Sequence, residues 1–145
     1  MSEHLRVDNQ LCFAVHAAAR AMNAAYQPLL EALGITYPQY LVLLILWEED
    51  GARVSRIGER LYLDSATLTP LLKRMEKRGL VERRRNEADE RVVEIFLTPS
   101  GKKLKKKALD VAEGFFCKLQ TPLPEAVRLR EELKGLTKRL HGSAA

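Results

Sequence analysis

Cysteine is scarce in this chain of 145 residues: two occur, Cys12 and Cys117, far apart and outside any CxxC or Cys/His cluster. That pattern excludes a secreted disulfide scaffold and a zinc site, and in a reducing compartment both residues would be free thiols. Long apolar runs are missing as well. No stretch approaches the roughly 18 uninterrupted apolar residues of a membrane span, and the start, MSEHLRVDNQ, has no apolar signal region behind a basic leader. A cytoplasmic protein with no membrane partner is expected. Repeats, low-complexity runs, a phosphate loop and a metal-ligand set are also absent, so the expectation is a non-enzyme without a cofactor.

The length suits one domain with one substantial core. Apolar residues at 46% and charged residues at 30% give a globular balance rather than a disordered one. The net charge of +5 is unevenly placed. Between Lys73 and Lys107 thirteen Lys or Arg face six Asp or Glu, a local +7 that leaves −2 for the rest of the chain. A basic segment in an otherwise slightly acidic protein fits a phosphate-binding face, because neutralising phosphates releases condensed counterions. A solvated helical surface would read the same way.

Leu11, Val15, Ala18, Met22, Ala25, Leu29 and Leu33 recur at steps of three and four and predict a helix from about Asp8 to Leu33. Asp8 or Asn9 would cap its start and Gly34 its end, with Pro28 kinking it late. Thr36-Tyr37-Pro38-Gln39 has the form of a capping box, followed by Tyr40 to Trp47, apolar almost all round and so a buried central helix. Helical sequence runs from Val54 to Leu61, breaks at Tyr62-Leu63-Asp64, and resumes from Ser65 to Arg78 until Gly79. Two short helices about a tight break, the second rich in Ser, Thr and Lys, are the shape of a helix-turn-helix. A hairpin follows: a strand from about Gly79 to Arg84, a polar turn from Asn86 to Glu90, and a return from Val92 to Leu97. Thr98-Pro99 then starts a helix to about Leu119, Pro122 and Pro124 break it, and Glu125 to His141 form a last amphipathic helix. The expected fold is therefore mainly α with a small β-hairpin wing.

Several blocks now carry a resemblance: Asp8-Asn9-Gln10-Leu11-Cys12-Phe13-Ala14, Leu33-Gly34-Ile35-Thr36-Tyr37-Pro38-Gln39-Tyr40, Leu63 through Met75, Asp89-Glu90-Arg91, and Leu97-Thr98-Pro99-Ser100-Gly101. Together they resemble the MarR family of transcriptional regulators, and within it the organic hydroperoxide regulators of the OhrR type, two-cysteine subtype. The wing pattern points to the broad family, and the first two blocks narrow it to the peroxide-sensing branch. The resemblance implies a dimeric winged helix-turn-helix, with residues 8–34 and 122–141 as dimerisation helices, 54–97 as the DNA-binding unit and 98–119 as a connecting helix. Amphipathic character at both ends of the chain fits that assignment, and a dimer on a palindromic operator would read two half-sites about 34 Å apart.

A recognition helix needs short polar side chains and a few cations, since bulky apolar ones block the base edges. Ser65, Thr67, Thr69, Lys73 and Arg74 fit, although Ser65 could serve only as a cap and Thr67 could bond its own backbone. Arg91 at the hairpin tip suits a minor-groove or phosphate probe; the resemblance implies that role, with Asp89 as wing support. An exposed arginine merely paired with Asp89 is the alternative. Arg83, Arg84 and Arg85 are phosphate contacts or surface charge, and the sequence does not separate the two.

Cys12 falls in the first turns of a helix, where free N–H groups and the dipole favour a thiolate, the species that attacks a peroxide. Spacing alone allows an inert small residue on an apolar face; the resemblance implies the redox sensor. It also implies that Tyr26 and Tyr37 hydrogen-bond the sensor thiolate and that Cys117 is the resolving cysteine. Tyr26 lies fourteen residues beyond Cys12 on one helix, about 21 Å at 1.5 Å per residue, so both phenols are expected to meet the partner subunit's cysteine. A core role for Tyr37 and a packing role for Cys117 remain open. The expected function is a repressor that binds operator DNA as a reduced homodimer and is released by organic hydroperoxide. Alternatives are a repressor released by a small aromatic ligand with Cys12 structural, a thiol peroxidase, and an unregulated architectural DNA binder.

Overall fold

The computed structural model describes residues 2–143. Two short 3-10 turns, Ser2–Leu5 and Val7–Asn9, lead into α1 (Leu11–Glu31) and α2 (Tyr37–Glu48). Next come β1 (Ala52–Arg53), α3 (Val54–Leu61) and α4 (Ser65–Lys77). The strands β2 (Val81–Arg85) and β3 (Val93–Leu97) precede the two long helices α5 (Pro99–Leu119) and α6 (Leu123–Ser143).

α2 forms the centre, as its all-round apolarity requires. Val42, Leu43, Ile45 and Leu46 are buried, joined by Ile57 of α3, Leu68, Leu72 and Met75 of α4, Ile95 of β3, and Ala108 and Val111 of α5. Its capping box forms as expected: the Gln39 N–H donates to Thr36 Oγ1 at 3.4 Å, and the Thr36 N–H donates to Gln39 Oε1 at 3.0 Å. Two of the helix's otherwise unpaired donors are thereby satisfied.

Several boundaries differ from expectation. Asp8 and Asn9 do not cap α1; they belong to a 3-10 turn, and the N-cap is Gln10, whose side chain instead donates to the carbonyls of His4 and Arg6. α1 ends at Glu31 rather than Leu33, and Gly34, at φ +69°, turns the chain three residues further on. α6 begins at Leu123, earlier than expected, because Pro124 falls in its first turn, where a missing N–H costs nothing. The hairpin is in fact part of a three-stranded antiparallel sheet of order β1-β3-β2, with Ala52 opposite Ile95 and Arg53 opposite Glu94. Two residues are too few for a strand period to show in sequence.

Two glycines fix the joints. Gly58 of α3 is buried, and a Cβ there would lie 2.7 Å from the Leu63 carbonyl oxygen, so its absence lets α3 and the following turn close up. Tyr62 makes that turn in the left-handed region, φ 56°. Gly101, in the first turn of α5, is pressed against the Leu80 carbonyl oxygen, 2.3 Å from where its Cβ would be. Around it Thr98 Oγ1 accepts from the Gly101 N–H and donates to the Gly79 carbonyl, and the Trp47 indole N–H donates to the Gly101 carbonyl at 3.0 Å. The Leu97-to-Gly101 block is thus the weld between α4, the sheet and α5.

The terminal elements bury little. α6 contains no buried residue among those described, and large apolar side chains stand exposed on the N-terminal segment and on α6: Leu5 at 88%, Leu11 at 66%, Leu140 at 62%. No helix among the described residues is long and apolar enough to cross a membrane.

Candidate functional site

Asp64, not Ser65, is the N-cap of α4, accepting from the Thr67 N–H at 2.8 Å. The Thr67 backbone, then its side chain, holds the exposed Asp64 carboxyl below the usual range. Ser65 is therefore free of a capping role, and Thr67 engages Asp64 through its backbone first and its side chain second. One face of α4 is sunk in the core through Leu68, Leu71, Leu72 and Met75. The other presents Ser65, Thr67, Lys73 and Arg74, all exposed, with Thr69 half-buried between the faces. Short hydroxyls lead and cations trail.

The β2–β3 hairpin carries the second basic group. Asn86 Oδ1 accepts from the Ala88 and Asp89 N–H groups and shapes the turn. Asp89 in turn accepts from the Arg91 backbone at 3.1 Å and from its Nε and Nη2 at 3.1 and 3.2 Å. Those bonds, side chain first, hold the Asp89 carboxyl low, with a smaller contribution from Arg53. The Arg91 side chain is 90% exposed, so this fork orients a guanidinium toward solvent rather than stabilising a core.

The three candidate arginines of β2 now separate. Arg84 lies over the Phe96 ring at 4.4 Å and pairs with Glu82 at 2.7 Å, so it is engaged within the sheet. Arg85 donates to the Glu90 carbonyl. Arg83 faces a cleft of about 750 Å³ between α4 and the hairpin, lined also by Arg53, Ser65, Thr69 and Arg91. Sequence reading passed over Arg53, because the short β1 that presents it left no periodic signal.

The thiol residues occupy two distant places. Cys12 is exposed at the second position of α1, where the first N–H groups have no intrahelical acceptor. Tyr26, on the same helix, stacks on Phe115 of α5 with ring centroids 4.0 Å apart and lies 5.1 Å from Tyr37 and 5.9 Å from Tyr40. Tyr40 and Phe115 are additions to the expected pair. Tyr40 was legible as the i+3 neighbour of Tyr37, whereas Phe115 needed the tertiary contact.

Burial, aided by Tyr40 and Tyr37, pushes the Tyr26 phenol up to about 12; burial also raises Tyr37 and Tyr40. All three are therefore neutral O–H donors near neutral pH, and none donates to another described residue. Neutral phenols with unused protons, walled by aromatic carbon, suit an anionic acceptor.

Exposed Cys117 belongs to the stretch of α5 that packs along α1: Lys118 donates to the Ala25 carbonyl at 3.1 Å, and a Cβ on Gly114 would lie 2.9 Å from Leu29. Leu29 is seventeen residues from Cys12 along α1, about 25 Å of helix. Cys12 and Cys117 of one chain are thus far beyond the ~7 Å Cα separation a disulfide tolerates. Tyr26 and Tyr37 come together; exposed Cys117, two residues past Phe115, lies on another face of α5, and Cys12 of the same chain stays apart. Among the described residues no cluster of three or more His, Cys, Asp or Glu could hold a metal ion.

Comparison with known proteins adds to this geometry. The MarR family pattern matches residues 35–93. The organic hydroperoxide resistance transcriptional regulator of Bacillus subtilis is 56% identical over 109 residues, covering 75% of this chain and 74% of that protein. Reduced AbfR bound to DNA superposes with a TM-score of 0.79 at 40% identity, over 96% of this chain and 97% of that one. The disulfide form of AbfR gives 0.68 at the same identity, over 96% and 95%.

Proposed function

Because the chain belongs to the MarR family of transcriptional regulators, in its organic-hydroperoxide-regulator branch, we propose that it is a redox-controlled repressor that binds operator DNA as a homodimer while Cys12 is reduced. It is a DNA-binding repressor of this type. The reading of its control rests on one observation: three unpaired neutral phenols gather about 20 Å of helix away from the exposed Cys12 of their own chain. A second copy placing its Cys12 at that cluster would supply the acceptor those phenols lack. Exposed apolar side chains on the N-terminal segment and α6 supply the surface for such a pairing.

In that arrangement Tyr26 and Tyr37 donate to the partner's thiolate, and the helix N-terminus favours its charge. The thiolate sulfur attacks one peroxide oxygen, the O–O bond breaks, and the leaving alkoxide takes a proton to become an alcohol. Cys12 is thereby oxidised to the sulfenic acid. The Cys117 thiolate of the other subunit then attacks that sulfur, the S–O bond breaks, and the departing hydroxide takes a proton from solvent to leave as water, giving the disulfide. Reaching a disulfide requires Cys12 to leave the phenols, and the covalent bond supplies the free-energy difference between two dimer arrangements that an equilibrium shift needs. Ser65, Thr67, Thr69, Lys73 and Arg74 read the major groove, and Arg91, held by Asp89, reaches the minor groove. The oxidation is stoichiometric, without turnover.

Cumene hydroperoxide added to the purified protein tests this on a non-reducing gel and in a gel shift with the DNA upstream of its own gene. Wild type is expected to crosslink and to release DNA; Cys12→Ser should do neither, and Cys117→Ser should not crosslink. Release that persists in Cys12→Ser would refute the thiol reading and favour control by a small ligand.

A further inference from the structure

Arg83, which lines the cleft between α4 and the hairpin, carries an unexplained donor. Arg83 Nε is shut away from solvent with no acceptor among the described residues, an arrangement that ordinarily costs free energy unless a partner arrives. Arg53 lines the same cleft from β1, exposed and held in place by the pairing of Arg53 with Glu94 and by the burial of Ala52 beside it. Ser65 and Thr69 of α4 form one wall and Arg91 the other. Three arginines thus line a cleft, with Glu59 of α3 and the N-cap Asp64 also in its lining, that opens to the surface carrying the candidate base-reading side chains.

Duplex geometry says what must cross it. If α4 lies in the major groove and the hairpin reaches the adjacent minor groove, the sugar-phosphate strand separating those grooves has to pass between them. We propose that this cleft seats that phosphodiester strand, and that Arg53, with the Arg83 guanidinium, is its phosphate-binding residue. The proposal rests on DNA binding by this chain and is independent of its redox control.

Affinity measured by fluorescence anisotropy across a salt series, on duplexes with and without the upstream operator sequence, tests the assignment. Arg53→Gln should weaken both duplexes by a similar factor and lower the magnitude of the slope of log K against log salt by about 0.9 for each phosphate no longer neutralised. Arg53→Lys should restore most of that slope. Arg56→Gln, an exposed arginine outside the cleft that pairs with Glu49, should leave it unchanged. An unaltered slope in Arg53→Gln, or an equal change in Arg56→Gln, overturns the proposal; circular dichroism of each variant shows whether the fold persists. Release of Arg53→Gln by hydroperoxide should be intact, so failure here is distinguishable from failure of the thiol switch.

Discussion

Replacing Gly101 by alanine tests how tightly the weld between sheet and α5 is built. The new Cβ would lie 2.3 Å from the Leu80 carbonyl oxygen and 3.1 Å from Leu97 Cδ2. The first is a backbone atom, so relief requires moving α5 or the Leu80 peptide rather than turning a side chain. Overpacking of this kind costs about 1–3 kcal/mol. A displaced Gly101 also strains the Thr98 cap and the Trp47 indole bond, together worth about 2 kcal/mol if both are broken. Against this, alanine in a helix is favoured over glycine by about 1 kcal/mol. Steric terms win: a net loss of about 2–4 kcal/mol is expected, which for a chain of this size lowers Tm by roughly 6–15 °C. Thermal unfolding by circular dichroism at fixed protomer concentration measures it, since an associating protein's Tm shifts with concentration. A Tm equal to or above wild type would show that the close approach imposes no constraint, and the account of the Leu97-to-Gly101 block would be refuted.

Leu72, with no exposed surface, should lose about 2–5 kcal/mol on truncation to alanine, read as a lowered urea midpoint with an unchanged slope; a loss below about 1 kcal/mol would contradict its central position. Arg91→Ala should weaken operator binding about 5- to 150-fold, the equivalent of about 1–3 kcal/mol, and leave thermal stability nearly unchanged because the Asp89 pair is exposed. Unaltered affinity in a gel shift would return Arg91 to a surface role. The Tyr26 phenol, raised to about 12 in the fold, keeps its proton between about pH 10 and 12 while the unfolded chain has given its proton up. Stability should therefore fall as pH rises through that window, and Tyr26→Phe should remove the highest-pH phenolate step from a near-ultraviolet titration. A titration unchanged in Tyr26→Phe would mean the ring is not held in the aromatic cluster.

Local rules act within one element, and at that range the sequence was sufficient. The Thr36–Gln39 capping box, the apolar body of α2, the break at Tyr62 and the Thr98-Pro99 start of α5 each follow from backbone donors seeking nearby acceptors or from apolar periodicity. Cys12 at the N-terminal turn of α1 and its separation from Tyr26 follow from helix rise alone. Tertiary packing decided what lies beyond one element's reach. It fixed β1 as a third strand, since two residues carry no period of their own. It separated the stacked Arg84 from the cleft-facing Arg83, and brought Phe115 of α5 to Tyr26 of α1, some ninety positions apart in the chain. Contacts across such distances arise when hydrophobic burial draws helices together, and no short-range preference encodes which side chains then meet.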